Sequence, residues 1–454
     1  MSEMRKSLWF VVAALALGLL AILTSPRRAT PDAFSDIGEP FFPDFDNPNE
    51  ARTLEVVEFD EETAEARPFK VTFEDGRWAI PSHHGYPADG KDRLAKTAAG
   101  VIGITRDDFR TDNVADHAAC GVLDPLDAVA TSLTGRGKRV TLRGESDQIL
   151  ADFIVGGQPE GREGYRFVRI PDRKRVYVAK MDIDISTRFE DWIEKDLLQV
   201  DRGSIERIVL KDYSIDERTG RVDEKDLITL RKKDADWAAD KMRADQKVDT
   251  TTINDMLGAL DDLSIVGVRP KPEGLSESLK RVEGNALMIT QGDLLSLQSK
   301  GYFFSRDGSL LSNEGELQVF TKDGIEYTLR FGEIVYGRGE AVTAGTGEPA
   351  EEDGPGENRY LFITARFDPG SLPEPARPAS TAFRDKAESE WTDADRRNKD
   401  LHDAHEKWSA AIEKGRELDR SLNARFAGWY YVIPSESFEK MDVTRADLVV
   451  KKES

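Results

Sequence analysis

Residues 69–80 read FKVTFEDGRWAI and residues 226–239 read DLITLRKKDADWAA, and the fold follows from what these two stretches share. In the first, apolar Phe69, Val71 and Phe73 alternate with polar residues, the period of a strand with one buried face. Asp75-Gly76 then supplies a two-residue hairpin turn, and Trp78 opens the returning strand. The second stretch repeats this order, with Trp237 aligned to Trp78. Further along, Asp89 and Asp249 each stand ahead of a helical pattern as candidate caps. In the second helix Ile253, Leu257, Leu260 and Leu263 form one apolar stripe.

The alignment extends from 53–105 to 204–268 at an offset of about 160 residues, too long for a solenoid unit and suited to a duplicated domain. Each copy continues into a run of strands. In the first these are 138–144, 148–157, 164–170 and 174–180. In the second they are 316–323, 325–335, 358–368 and 428–435. Strands, one main helix, then antiparallel strands is the order of an α+β fold. The expected units are a first repeat at 51–202 and a second at 203–454.

The copies differ most in one connection. Pro171-Asp172-Arg173-Lys174 joins the last two strands of the first copy by a tight turn. The matching join in the second copy, 369–428, begins with proline-rich PGSLPEPARPAS, a semi-rigid spacer. A helix-forming stretch over 381–427 follows. Trp391, Ala394, Leu401, Trp408, Ile412, Leu422 and Phe426 fall on three- and four-residue steps, a coiled-coil-like seam interrupted by Asn398, His405 and Asp419. Trp391, Leu401, Trp408 and Ile412 are the expected partner contacts, the alternative being that the stripe folds back on the strands. The tight turn of the first copy implies that deleting 373–425 leaves a folded protein. A second insertion, 337–357, is glycine- and acid-rich and reads as a mobile loop.

Leu8–Leu23 (LWFVVAALALGLLAIL) is an unbroken apolar run between Arg5-Lys6 and Arg27-Arg28. Sixteen helical residues cover roughly 24 Å, short of a full bilayer core, and Ser7, Thr24 and Ser25 extend them before Pro26. The expectation is a transmembrane anchor at 1–28, a linker at 29–50, and a single-pass inner-membrane protein with its bulk periplasmic. A cleaved secretory leader is the competing reading, although Leu23-Thr24-Ser25 fits a cleavage site poorly.

A net charge of −21, from 85 acidic against 64 basic residues, argues against nucleic acid as a partner. The single cysteine, Cys120, excludes an intrachain disulfide and reads as a small buried hydrophobe. His83-His84 and His402/His405 lack the spacing and the glutamate of a zinc-protease motif. Paired carboxylates are common, but none sits in an apolar, aromatic-lined context that would raise one pKa for acid–base work. Gly156-Gly157 and Gly135-Arg136-Gly137 read as turns rather than phosphate loops. Trp78 and Trp237 read as core. No catalytic, cofactor-binding or metal-ligating residue is therefore assigned.

The strand, the tryptophan, Pro87-Ala88-Asp89, the helix and then Cys120-Gly121-Val122-Leu123-Asp124-Pro125 resemble the bacterial domain-of-unknown-function 4340 (DUF4340) family over most of 51–340 and the terminal strands. The family's GLD-P element is met by Gly121-Val122-Leu123-Asp124-Pro125 with an extra valine, and by Gly274-Leu275 alone in the second copy. The resemblance implies a single-anchor extracytoplasmic protein found beside gliding-motility-type ABC transporter components, with no catalytic residues. The functional expectation is a non-enzymatic accessory or scaffold protein of such a transport complex. The alternatives are an envelope polysaccharide or peptidoglycan hydrolase, and a small-ligand-binding sensor.

Overall fold

The computed structural model describes residues 17, 36–129, 132–183, 185–216, 221–281, 289–337, 340–344 and 357–452. The chain divides into two compact units, Met1–Phe69 with Leu94–Ile185, and Lys70–Arg93 with Ser186–Ser454.

The strands of the first copy are β1 (Thr53–Asp60), β2 (Glu65–Glu74), β3 (Arg77–Ile80), β4 (Tyr86–Pro87), β5 (Asp108–Thr111), β6 (Lys138–Arg143), β7 (Ile149–Val155), β8 (Tyr165–Arg169) and β9 (Val176–Lys180). Helix α1 (Lys91–Ile102) precedes β5. In the first unit the order is β2-β1-β6-β7-β8-β9-β5. Leu54, Val56, Val140, Leu142 and Phe153 are buried in its core, and α1 adds Leu94, Ala98 and Val101 at the three- and four-residue spacing of one helix face. Residues 36–50, expected as linker, are packed here, with Phe41 and Phe45 buried and the Phe41 amide on Ile104 O at 3.0 Å.

The second unit contains β10 (Ile205–Asp216), β11 (Arg221–Lys233), β12 (Asp236–Ala239), β13 (Gln246–Val248), β14 (Gly267–Pro270), β15 (Tyr302–Phe304), β16 (Leu310–Ser312), β17 (Glu316–Thr321), β18 (Ile325–Tyr336), β19 (Glu357–Phe367), β20 (Trp429–Pro434) and β21 (Val449–Lys451). Its longer helices are α2 (Thr250–Asp261), α3 (Gln291–Gln298) and α4 (Asp393–Phe426). Its sheet runs β12-β11-β10-β17-β18-β19-β20-β14. A hairpin, a four-strand meander and then the strand that follows the helix occupy the same positions as in the first unit. The β3–β4 hairpin also belongs to this unit, pairing with the far end of β2 through Phe73↔Trp78. Asp249 caps α2, its Oδ2 accepting the Thr252 amide at 2.9 Å, whereas α1 begins at Lys91 and the Asp89 amide bonds Trp192 O. Ile253, Met256, Leu257 and Leu260 bury the inner face of α2, each burial contributing about 1.5–3 kcal/mol.

The expected α+β class stands, but two parts of it need correction. No helix among the described residues is long and apolar enough to cross a membrane, and the expected transmembrane anchor, 1–28, lies outside the described residues apart from Leu17. The insertion is also not a coiled coil. Its 34-residue helix α4 packs on β19, β20 and the chain's own preceding segment rather than on a second helix. Three- and four-residue spacing describes either arrangement, because both require only one apolar stripe. The helix begins at Asp393 rather than near Thr381, since Thr392 and Asp395 form a reciprocal capping box and 381–391 makes two short 3-10 turns. Of the loop expected at 337–357, residues 338–339 and 345–356 lie outside the described residues, while Glu340–Thr343 forms one helical turn with Val342 buried.

Candidate functional site

The expected partner residues sit on a face of α4 that the chain itself covers. After β19 the chain turns at Pro369–Ser371 and runs back along α4 as a strap. Trp408 Nε1 donates to Leu372 O at 2.9 Å, and Trp391 Nε1 donates to Phe383 O at 3.1 Å. Both tryptophans and Leu401 are half-buried, and Ile412 is buried. The three polar residues that interrupt the seam hold it closed. Asn398 Oδ1 accepts the Ala379 amide at 2.9 Å, His405 Nε2 meets Glu374 at 3.2 Å, and Asp419 Oδ1 accepts the Phe367 amide at 2.8 Å. Lys386 and the Thr392 cap hold the Asp395 carboxyl down at about 2. The opposite face is solvated, with Lys407, Glu413, Lys414, Arg416, Glu417 and Arg420 exposed. The helix carries eight acidic and eight basic residues, so it is neutral within a chain of net charge −21.

His402 and His405 do not converge. His402 lies between Arg384 and Glu406, while His405 meets Glu374. Among the described residues no three His, Cys, Asp or Glu side chains are placed to hold a metal. His83, expected in a loop, is buried and stacked on Phe189 with ring centroids 4.4 Å apart. Its Nδ1 lies 3.0 Å from Ser82 Oγ and its Nε2 lies 3.0 Å from Thr343 Oγ1. Burial foremost, then His84 and Arg269, lowers its pKa to about 4. His84 Nε2 reaches Ala344 O at 2.7 Å.

The family-like element from Cys120 to Pro125 is a structural latch of the first unit. The Gly157 amide donates to Cys120 O at 2.9 Å, and the Gly137 amide donates to Leu123 O at 2.8 Å. A Cβ on Gly156 would stand 2.3 Å from Cys120 O, so the glycines read as turns are also required for close backbone approach. Arg139 joins Asp124 at 3.0 Å and Asp152 at 2.7 Å. Cys120 is buried against Val122, Ile154 and Val176. Trp78 and Trp237 are half-buried on β3 and β12.

A polar groove in the second unit was not foreseen. A bulge between Asp212 and Tyr213 of β10 lies where a cavity of about 240 Å³ adjoins one of about 700 Å³. Glu316, almost fully buried, is met by Lys211, Tyr213 and Arg330, each at 3.2 Å. With three donors on it, this carboxylate is held in place rather than free to act as a base. Asp442 has its pKa raised, by burial first and then by Glu314 and Asp212. Arg445 closes one end, donating to Asp226 at 2.8 Å and to Asp240 and Leu227 O. No spacing rule finds this groove, because Tyr213 and Glu316 are 103 residues apart.

Residues 78–278 match the family model described as "Domain of unknown function (DUF4340)", a narrower span than 51–340. It includes the latch, α2 and the β10–β11 side of the groove, and leaves α4, Glu316 and Asp442 outside. No curated protein matches the chain, and no solved structure matches it.

Proposed function

We propose that this chain, whose residues 78–278 carry the DUF4340 domain, is a non-enzymatic accessory protein that presents the strapped helix α4 to a protein component of an ABC-type transport complex. The observation that carries this reading is α4 itself. Its apolar seam is closed by its own strap, its other face is long and solvated, and the helix as a whole carries no net charge. A rod ordered beforehand binds without the cost of ordering a loose segment, and a helix without net charge approaches a partner without the repulsion of the acidic body. A working location on the outer side of the cytoplasmic membrane belongs to the same proposal, and its support is the sequence of residues 5–28 alone. The test is photo-crosslinking from exposed Ala410 in native membranes. Adducts with a transport component are expected. Adducts no more abundant than from a probe at exposed Lys233 on β11 would defeat the proposal.

The groove favours a second reading, a small-ligand sensor. Its paired cavities, with Glu316 held by three donors between charged side chains, suit the binding of a polar ligand. A thermal-shift screen tests this, since a ligand of the folded state raises the melting temperature. A flat response to envelope sugars and peptides would end it.

A further inference from the structure

Residues directly opposite one another in an antiparallel sheet point to the same face, so register alone lays out rows of neighbouring side chains. One row in the second unit runs Arg231, Arg207, Phe320, Glu326, Arg366 across β11, β10, β17, β18 and β19. Its far end is balanced, with Arg366 Nη2 on Glu326 Oε2 at 2.6 Å. Its near end is not. Arg207 and Arg231 stand directly opposite each other, and neither joins an ion pair among the described residues. Like charges in this position destabilise a sheet.

The geometry around the pair is fixed and open. The Arg207 guanidinium lies 3.5 Å from the Phe320 ring centroid, which holds its plane. A cavity of about 430 Å³ is lined by both arginines, Phe320, Gly324 and Ser371. Glu206, Asp234 and Asp368 also border it. Glu206 lies at the register shift between Ile205 and Arg207, Asp234 sits at positive φ in the β11–β12 turn, and Asp368 Oδ1 accepts the Gly370 amide at 3.0 Å. None of these three carboxylates forms an ion pair with either guanidinium. The Arg207 pKa is lowered, by burial first and then by Arg231.

We propose that Arg207 and Arg231 form a binding site for a phosphate-class oxyanion, either free or borne on a headgroup. Each guanidinium offers a planar pair of N–H donors that matches two oxygens of such an anion, and a doubly charged ligand cancels the repulsion between them.

The experiment follows the melting temperature of the full chain with inorganic phosphate, against chloride at equal ionic strength, and its binding to vesicles with and without phosphatidic acid. A phosphate-specific rise identifies a free anion, and retention only on phosphatidic acid identifies a headgroup. The decisive variant is Arg231→Gln, at an exposed position the fold tolerates. It is expected to melt higher than the parent without anion, because the repulsion is gone, and to bind the effective probe about ten-fold more weakly. The proposal is overturned if neither probe acts on the parent, or if Arg231→Gln responds to the anion as the parent does. It is equally overturned if this variant melts lower than the parent without anion.

Discussion

Asp419 on α4 accepts the backbone amide of Phe367 on β19 at 2.8 Å, fastening a helix to a strand 52 residues earlier in the chain. One helical turn before it, a Cβ on Gly415 would lie 2.2 Å from the Phe367 ring, so helix and strand meet where no side chain intervenes. Leu422 and Phe426, both buried, continue the contact face. The expectation that 373–425 can be removed without loss of fold is therefore revised. The near half of the insertion belongs to the core of the second unit.

Substitutions at this junction separate its two contributions. Asp419→Ala leaves the Phe367 amide without its acceptor and is expected to cost about 1–3 kcal/mol. Gly415→Val cannot be accommodated without moving the helix and should cost more. Urea unfolding with an unchanged m-value measures both, and a Gly415→Val midpoint equal to the parent's would refute this account of the junction.

The strap should open independently of the sheet. Trp408→Phe keeps an aromatic ring, smaller than the indole, and removes the donor to Leu372 O, with an expected loss of at least about 1 kcal/mol. Amide exchange should quicken over 372–391 while β17 to β19 remain protected. Uniformly faster exchange through the sheet would mean that strap and core unfold together.

Protonation of His83 sets an acid limit on stability. Its folded value, about 4, lies below the ordinary 6.5, so the unfolded chain takes up the proton first. The contribution is complete above about 6.5 and declines as pH falls toward 4, by up to about 3 kcal/mol. His83→Gln should flatten the pH dependence of stability across that window. An unchanged slope would show that other groups carry it.

Glu316 holds Lys211, Arg330 and Tyr213 together, and removing it strands two cations beside β10. Glu316→Ala is expected to cost about 3–5 kcal/mol, the range for breaking a buried ion pair. Arg445→Ala, at a more solvated pair, should cost only about 1 kcal/mol. Equal losses at the two sites would contradict the burial that distinguishes them.

Much of the architecture was legible because it is local. The alternation around Val71, the turn at Asp75-Gly76, the stripe from Ile253 to Leu260 and the meander beginning at Glu316 are each set by neighbours a few residues apart. Single polar residues were legible only as exceptions. Asn398, His405 and Asp419 read as breaks in a seam, because sequence order does not show what lies opposite a side chain.

From its sequence alone this chain is committed to twice-repeated strands with a helix in each repeat, and to one connection longer in the second copy. Periodicity and turn chemistry act within a few residues and need no distant partner. Tertiary structure alone decided that the long helix lies on β19 under its own strap, that Glu316 gathers three donors, and that Arg207 faces Arg231. These pairings join residues far apart in the chain, and only strand register and helix docking bring them within the few ångströms over which hydrogen bonds and charges act.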